Sequence, residues 1–581
     1  LHLCDRRQRQ MCIRDSFKRE YATRSFNTVY ASFDIWKGIK FASTFSYDFV
    51  MNKSRAWKDP RTSDGDDDNG RFSKDYNDIT NMTWSNILTY QTKIKKKHNL
   101  DLLVGYEINS KESDGLGTTI SNFARWDKPE VNNGVVYQSM GGSNSTTRIV
   151  SYITRANYDY DNKYYLGASW RTDGSSRLAR ENRWGNFWSL SGAWRVSSES
   201  FMKPLQNWLS DLKLRVSYGV NGTLPSSYYG YMGLSSLTSN YNDNPGITQS
   251  QLENKELTWE TNYNFNSGID LGFFDNRLNV TFEYYVRTTK NLLYSRPLSL
   301  ATGFSSYLAN IGKLQNKGYE LEIRSTNIET KDFRWSTSLN LGHNANKILK
   351  LDGDLKQVTS GTSIHKVGLP YSTYYMIEFA GIDPVDGEPM FYKNTTDENG
   401  NLNKETTKDP RSAEKVILQC ADPTITGGLG NSISYKWFDL NFNVNFSFGA
   451  WNYDGAAGKL EHGGDGTLNI PIYYRKRWQK EGDETSIERF VVGRSISMTD
   501  YATTRRLYSG DYVRLKNLTF GFTLPKTWTR KVGIDNIRLY ASGNNLLTWA
   551  AYDYIDPESG SSPSWDTPPM RTYTFGLEVK F

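Results

Sequence analysis

Cysteine is nearly absent. Only three occur in 581 residues, and two of them, Cys4 and Cys12, sit at the extreme N-terminus, so neither a disulfide framework nor a cysteine-ligated metal site can be assembled. Histidine is as sparse: His2, His98, His343, His365 and His462 are scattered, none at metal-ligand spacing from another. No run of eighteen or more apolar residues exists, which excludes a helical membrane protein. A concentrated basic face is missing too. The net charge of +7 is spread along the chain, with residues 93–97 the one dense basic run, so no nucleic-acid partner is expected. There is no Gly-x-Ser-x-Gly elbow, and Gly427-Gly-Leu-Gly430 precedes a strand rather than a helix. The chain reads as a non-enzyme without a cofactor.

What the chain has instead is alternation. Aromatic residues make up 14% of it, with 38 tyrosines, against 23% charged residues and a mean hydropathy of −0.65. In the final stretch Tyr573, Phe575, Leu577, Val579 and Phe581 fall on one side of an extended chain. Thr572, Thr574, Gly576, Glu578 and Lys580 fall on the other. About ten residues tilted at roughly 45° cross a bilayer's hydrocarbon core, so this is one transmembrane strand's worth of sequence. An edge strand of a soluble sheet would alternate in the same way, and repetition has to decide.

The pattern recurs. Paired strands are expected at 24–36 and 38–50, 79–95 and 100–112, 148–160 and 163–172, and 185–197 and 211–220, the last pair enclosing one or two helical turns at 201–208. Further pairs follow at 257–274 and 277–293, 317–330 and 333–346, 424–436 and 438–449, and 511–524 and 534–547, before the terminal strand. The clearest, 438–449, points Phe438, Leu440, Phe442, Val444, Phe446 and Phe448 outward and Asn441, Asn443, Asn445 and Ser447 inward.

These strands, about 17 in all, are joined alternately by short turns and by long connections near 51–78, 113–147, 173–184, 221–256, 294–316, 347–423, 450–510 and 548–570. Soluble sandwiches show no such two-sided bias. The expected fold class is all-β, a large antiparallel transmembrane β-barrel. Single-chain bacterial barrels have even strand numbers, so an odd count implies strands missing at the N-terminal end. Residues 1–16 lack an apolar core, carry four arginines and resemble translated adapter sequence. They are set aside as a non-native leader, leaving 17–581 as the C-terminal part of the barrel.

Several stretches then resemble one family. Residues 511–547, with Asp511-Tyr-Val-Arg-Leu-Lys-Asn-Leu-Thr-Phe-Gly-Phe-Thr-Leu-Pro525 and Ile537-Arg-Leu-Tyr-Ala-Ser-Gly-Asn-Asn-Leu-Leu-Thr548, are similar to the C-terminal strands of SusC/RagA-type outer-membrane transporters. So are Tyr552-Asp-Tyr-Ile-Asp-Pro557, Arg571-Thr-Tyr-Thr-Phe-Gly576, Glu253-Asn-Lys-Glu-Leu-Thr-Trp-Glu260, Asn316-Lys-Gly-Tyr-Glu-Leu-Glu322, Ala380-Gly-Ile-Asp-Pro384 and Asp211-Leu-Lys-Leu-Arg-Val-Ser-Tyr-Gly219. The resemblance covers nearly all of residues 20–581. It implies a TonB-dependent barrel of about 22 strands with a plug domain in its lumen, in the outer membrane of a Gram-negative bacterium of Bacteroidetes type. It also implies a SusD-like surface lipoprotein as lid and oligosaccharides, sometimes peptides, as substrates. About 17 of 22 strands would leave about five, the plug and the TonB box upstream, and this stretch alone is not expected to transport. A barrel-based surface adhesin or a passive porin is the alternative. A soluble carbohydrate-binding β-protein would require a second sheet over the Phe438 to Phe448 stripe.

A lumen this wide must be wettable, which makes Asn441, Asn443 and Asn445 candidates for substrate contact, the competing role being simple solvation of the wall. Sugar rings offer apolar C–H faces to aromatic rings. Tyr228, Tyr229 and Tyr231, and Trp451 with Tyr453, stand where strands open into long loops and are candidates for that stacking. An interfacial aromatic girdle is the competing role. In Asp64-Gly-Asp-Asp-Asp-Asn-Gly70, Asp64, Asp66 and Asp68 match the first ligand positions of an EF-hand loop, but Asn69 stands where Gly is required and Asp75 where Glu should be. A solvated acidic loop is expected there, no metal site, and Asp397-Glu-Asn-Gly400 reads as a turn.

Overall fold

The computed structural model describes residues 16–242, 244–351, 353, 355–397, 400–464, 469–493, 500–552, 554–559 and 568–581. Residues 1–15 of the expected leader lie outside the described residues, as do Glu398 and Asn399 of the expected 397–400 turn.

Among the described residues seventeen strands form one sheet. They are β1 (Phe17–Trp36), β2 (Ile39–Lys58), β3 (Arg71–Ile94), β4 (His98–Phe123), β5 (Gly134–Tyr160), β6 (Tyr164–Ser175), β7 (Trp184–Arg195), β8 (Leu209–Thr223) and β9 (Glu260–Phe273). The rest are β10 (Leu278–Lys290), β11 (Lys313–Glu329), β12 (Phe333–Lys350), β13 (Ile425–Tyr435), β14 (Phe438–Phe448), β15 (Tyr512–Thr523), β16 (Asn536–Ala550) and β17 (Thr572–Lys580). Each strand is hydrogen-bonded to its neighbours in sequence, and the registers are antiparallel from β1 to β6 and from β10 to β17.

The chain forms two compact units. The first holds the described residues up to Gly192 with Tyr218–Tyr263 and Asn291–Ile311. Its apolar clusters are Leu178, Phe187, Val220, Leu257 and Trp259, and separately Trp57, Phe72, Ile120 and Phe123. The second holds Ala193–Ser217, Asn264–Lys290 and Gly312–Phe581, with clusters around Val196, Met202 and Leu209, around Tyr374, Met376 and Leu507, and around Ile377 and Phe391. The helical turns expected at 201–208 are present as a 3-10 helix, Ser200–Leu205.

Side chains sort by strand parity as the sequence suggests. On β17, Tyr573, Phe575 and Leu577 share one parity and Thr572, Thr574 and Glu578 the other; residues of both sets are exposed, the three apolar ones at 68%, 84% and 61%, and an apolar row that open suits an apolar solvent. Phe438 stacks on Phe520 at 5.8 Å and meets Phe522 in a tilted contact at 4.9 Å, extending the stripe from β14 to β15. On β15 the parity changes, because Val513 and Leu515 share a face with Leu518 and Phe520. A bulge at Lys516 accounts for it: Val444 pairs with Leu515, whereas Asn443 pairs with Asn517. One extra residue switches the following side chains to the other face, and here it keeps the apolar ones together.

Two of the expected long loops are largely strand. β2 continues to Lys58 and β3 begins at Arg71, leaving 59–70 as the connection; β4 continues to Phe123 and β5 begins at Gly134, leaving 124–133. Where a strand leaves the lipid both its faces are wet, so alternation fades while the backbone ladder continues. Other long connections carry small sheets: Leu234–Tyr241 with Asn244–Gln251, Leu293–Pro297 with Ser306–Asn310, and Trp451–Tyr453 with Leu507–Ser509.

Two glycines are set by close approach. Gly576 lies opposite Tyr540, and a Cβ there would meet the Tyr540 ring at 2.2 Å; Gly427 lies opposite Phe446, with the corresponding distance 2.5 Å. Each ring lies flat over the neighbouring strand, covering backbone that a side chain would otherwise shield. Gly576→Val should displace the Tyr540 ring and lower barrel stability by about 1–3 kcal/mol, the usual cost of overpacking. The readout is the temperature at which the heat-modifiable gel shift is lost, and an unchanged temperature would contradict the ring-over-glycine account.

Candidate substrate-contact surface

In the second unit the polar face of β10 to β14 is a set of cross-strand rows. Glu283 pairs with Glu320, Glu320 with Gly342, Gly342 with Thr426, and Thr426 with Ser447. The next rows run Glu322, Asn340, Gly428, Asn445, and Arg324, Ser338, Gly430, Asn443. Small residues alternate with long polar ones, so the amide and carboxylate heads have open space before them. Asn441 and Asn443 line a cavity of about 320 Å³ with Asn279, Arg324 and Ser338. Asn445 lines one of about 780 Å³ with Glu283, Glu320, Glu322 and Asn340.

Charges on this face are largely fixed by partners. Arg215 forks onto Asp270 at 2.8 and 2.9 Å and reaches Glu283 at 2.7 Å. Arg324 pairs with Glu322 at 2.5 Å, and Arg538 grips Asp439 at 2.7 and 3.1 Å. Asn441 donates to Asp439 at 3.3 Å. The surface offers amides, hydroxyls and carboxylates to a polar ligand.

The aromatic candidates fall in two places. In the first unit the half-buried Tyr228 ring lies under the Arg177 guanidinium at 4.4 Å. Tyr229 Oη accepts the Thr146 backbone N–H at 2.9 Å, and Tyr231 packs against the Leu178, Leu257 and Trp259 cluster. In the second unit Trp451 and Tyr453 lie on the short strand paired with Leu507–Ser509 and pack beside Tyr374 and Met376. The acidic 64–70 segment turns to local partners: the Thr62 hydroxyl donates to Asp64 at 2.7 Å, and Arg71 pairs with Asp68.

Two charged clusters escaped the sequence reading. Both lie in the second unit. Glu488, fully buried, pairs with Arg505 and accepts the Tyr474 hydroxyl at 2.9 Å. Glu461 lies 3.5 Å from Arg505 and 3.4 Å from the buried Arg506, and accepts the Tyr473 hydroxyl at 2.5 Å. Asp454 caps the short helix Gly455–Leu460 and accepts the Tyr552 hydroxyl at 3.0 Å. Tyr552 stacks on Tyr508 at 3.8 Å. The signal available in the sequence was the adjacent pair Arg505-Arg506 amid aromatic residues, which a loop reading ignores.

A family model for the TonB dependent receptor-like β-barrel matches residues 6–546. The chain belongs to that family. It is 32% identical to TonB-dependent receptor P3 of Formosa agariphila over 95% of this chain and 57% of that protein. To TonB-dependent receptor SusC of Bacteroides thetaiotaomicron it is 30% identical over 74% of this chain and 44% of that one. Among solved structures it is similar to the RagAB peptide transporter, with 27% identity and a TM-score of 0.87 over 98% of this chain and 63% of the other. The chain therefore spans only part of the length of these relatives, from 44% of SusC to 63% of the RagAB chain. It is an outer-membrane barrel of the SusC/RagA type.

Within this TonB-dependent barrel the second cluster pins a connection to the polar face. Arg514, 2% exposed, donates to Asp556 at 2.6 Å, Glu558 at 2.7 Å and Thr548 at 3.0 Å. Lys516, the bulge residue, reaches Glu558 at 2.6 Å. Thus Asp556 of Tyr552-Asp-Tyr-Ile-Asp-Pro557, a stretch visible in the sequence only as a family motif, and Glu558 just after it hold the β16–β17 connection against β15.

Two outcomes follow from these clusters. Arg514→Ala leaves Asp556 and Glu558 without their buried cation, and should cost about 3–5 kcal/mol of local stability, seen as rapid proteolysis within 551–559. Loss no greater than for an exposed arginine would refute the pinning. Burial, helped by Glu461, Glu488 and Asp454, pushes the Tyr473, Tyr474 and Tyr552 hydroxyls above the ordinary tyrosine range. Unfolded tyrosines ionise near pH 10, so above it the unfolded state binds fewer protons than the folded one and stability falls as pH rises. Protease resistance of the 450–510 connection should hold at neutral pH and decline above about pH 10, an effect that Tyr474→Phe should reduce.

Proposed function

We propose that the full-length protein imports oligosaccharides or peptides across the outer membrane, energised by TonB acting on a segment N-terminal to the barrel. A SusD-like surface lipoprotein covers its external side. The observation that carries this reading is the open polar face of β10 to β14, where asparagines and carboxylates line cavities of about 320 and 780 Å³. Asn441, Asn443 and Asn445 are the proposed polar contacts, suited to sugar hydroxyls or peptide amides. Tyr228, Tyr229, Tyr231, Trp451 and Tyr453 are the proposed stacking positions, their half-buried rings steadied by the neighbours described above. The similar proteins are named as receptors, and one similar solved structure is that of a peptide transporter, which supports transport while leaving both substrate classes in play.

Deletion of the complete gene should abolish growth on one oligosaccharide or peptide supply as sole source, and uptake should stop when TonB is removed. Uptake that persists without TonB would indicate a passive pore. Normal growth with lost surface attachment would indicate an adhesin.

For the lipoprotein, the hairpin Leu234–Tyr241 with Asn244–Gln251 presents Leu237, Tyr241 and Ile247 at 68%, 86% and 73% exposure. Contact with a partner would cover them. Tyr241→Asp with Ile247→Asp should reduce co-purification of the lipoprotein without altering barrel folding. Undiminished co-purification would place the partner elsewhere.

A further inference from the structure

The dense basic run at 93–97 plays no part in the candidate surface. It ends β3 and forms the β3–β4 turn, where Lys95 and Lys96 take left-handed backbone positions with φ of 50° and 61°. Asn, Asp or Gly normally fills such positions, and the β5–β6 turn uses Asp161 and Asn162 for them, with φ of 55° and 53°. Two lysines thus hold a turn that their conformational preferences disfavour, a pattern associated with function.

The two turns are joined. The Asp161 N–H donates to the Lys97 carbonyl at 2.7 Å, and Lys97 Nζ lies 3.6 Å from the Asp161 carboxylate. Lys93, Lys95 and Lys96 are exposed, and among the described residues no carboxylate pairs with them. Directly along the strands is an aromatic group. His98 Nδ1 lies 2.8 Å from the Tyr158 hydroxyl, its ring is 5.0 Å from that of Tyr160, and Tyr160 stacks on Tyr164 at 6.3 Å. These rings share strand parity with Leu100, Leu102, Val104 and Leu166, the apolar face of β4 and β6.

We propose that this rim, the lysines of the β3–β4 turn beneath the His98, Tyr158, Tyr160 and Tyr164 rings, binds the headgroup phosphates of anionic phospholipids in the periplasmic leaflet. Short turns of an outer-membrane barrel lie on the periplasmic side. Aromatic rings settle at the bilayer interface, and lysines just beyond them stand at headgroup depth. Contiguity with the lipid-facing band favours a lipid over an acidic protein, which would have no use for those rings.

The test places the full-length protein in nanodiscs of mixed phosphatidylglycerol and phosphatidylcholine and measures lipids retained on extraction by native mass spectrometry. Phosphatidylglycerol should be enriched, and the enrichment should shrink as salt rises. Lys95→Asn with Lys96→Gly suits the turn better and so should fold, yet it should weaken phosphatidylglycerol retention about fivefold per lysine removed. Lys128→Gln, in the connection at the opposite strand ends, should change nothing. Equal retention of the two lipids by the unaltered protein, or unchanged retention in the double variant, would overturn the proposal. Loss of binding to an acidic periplasmic protein with lipid retention intact would overturn it as well.

Discussion

Hydrocarbon offers no hydrogen bonds, and the rest of this structure depends on that. Every backbone N–H and C=O in the spanning strands must find its partner in a neighbouring strand, and long antiparallel registers, broken only at occasional bulges, meet the requirement. β3 and β4, for example, pair without a shift from Arg71 with Ser121 to Ile94 with His98. With the backbone satisfied by the ladder, the side chains only have to suit two solvents, one on each face. Phe520 and Phe575 can then stay exposed on one side while Asn443 faces the other.

The ladder also sets how exceptions are handled. At Lys516 the chain admits one extra residue, and the bulge keeps Leu515 and Leu518 on the apolar face while leaving Arg514 on the polar one. There Arg514 meets Asp556 and Glu558 from the β16–β17 connection. Buried ion pairs of this kind add little net stability over apolar packing, but an unmatched member is very costly, so they select one arrangement of a long connection. The Glu461, Glu488, Arg505 and Arg506 group does the same for the connection between β14 and β15.

Much of this was legible beforehand. Alternation located all seventeen strands, because lipid on one face and water on the other impose a period of two that few other environments demand. It placed Asn441, Asn443 and Asn445 on the polar face, where they line cavities. Alternation fades where the lipid ends: in the outer parts of β2 to β5, residues such as Lys53, Ser54 and Asp75 carry no hydropathy signal, although they pair in regular register. The structure inside the long connections is not visible in the sequence for a related reason. Their small sheets and ion clusters are held by contacts between residues such as Glu461 and Arg506, or Tyr374 and Leu507, that are far apart in the chain.

The sequence by itself determined which residues face lipid and which face water, since that choice is made locally, residue by residue, by transfer between two solvents. Strand count and turn positions follow from the same local pattern, while the family resemblance rests on particular stretches such as Ala380-Gly-Ile-Asp-Pro384. Only the tertiary structure decided where the charged loop residues go, which glycines lie beneath rings, and which turns stand side by side. Those outcomes depend on register between strands, and register is a property of pairs of segments that no single segment carries.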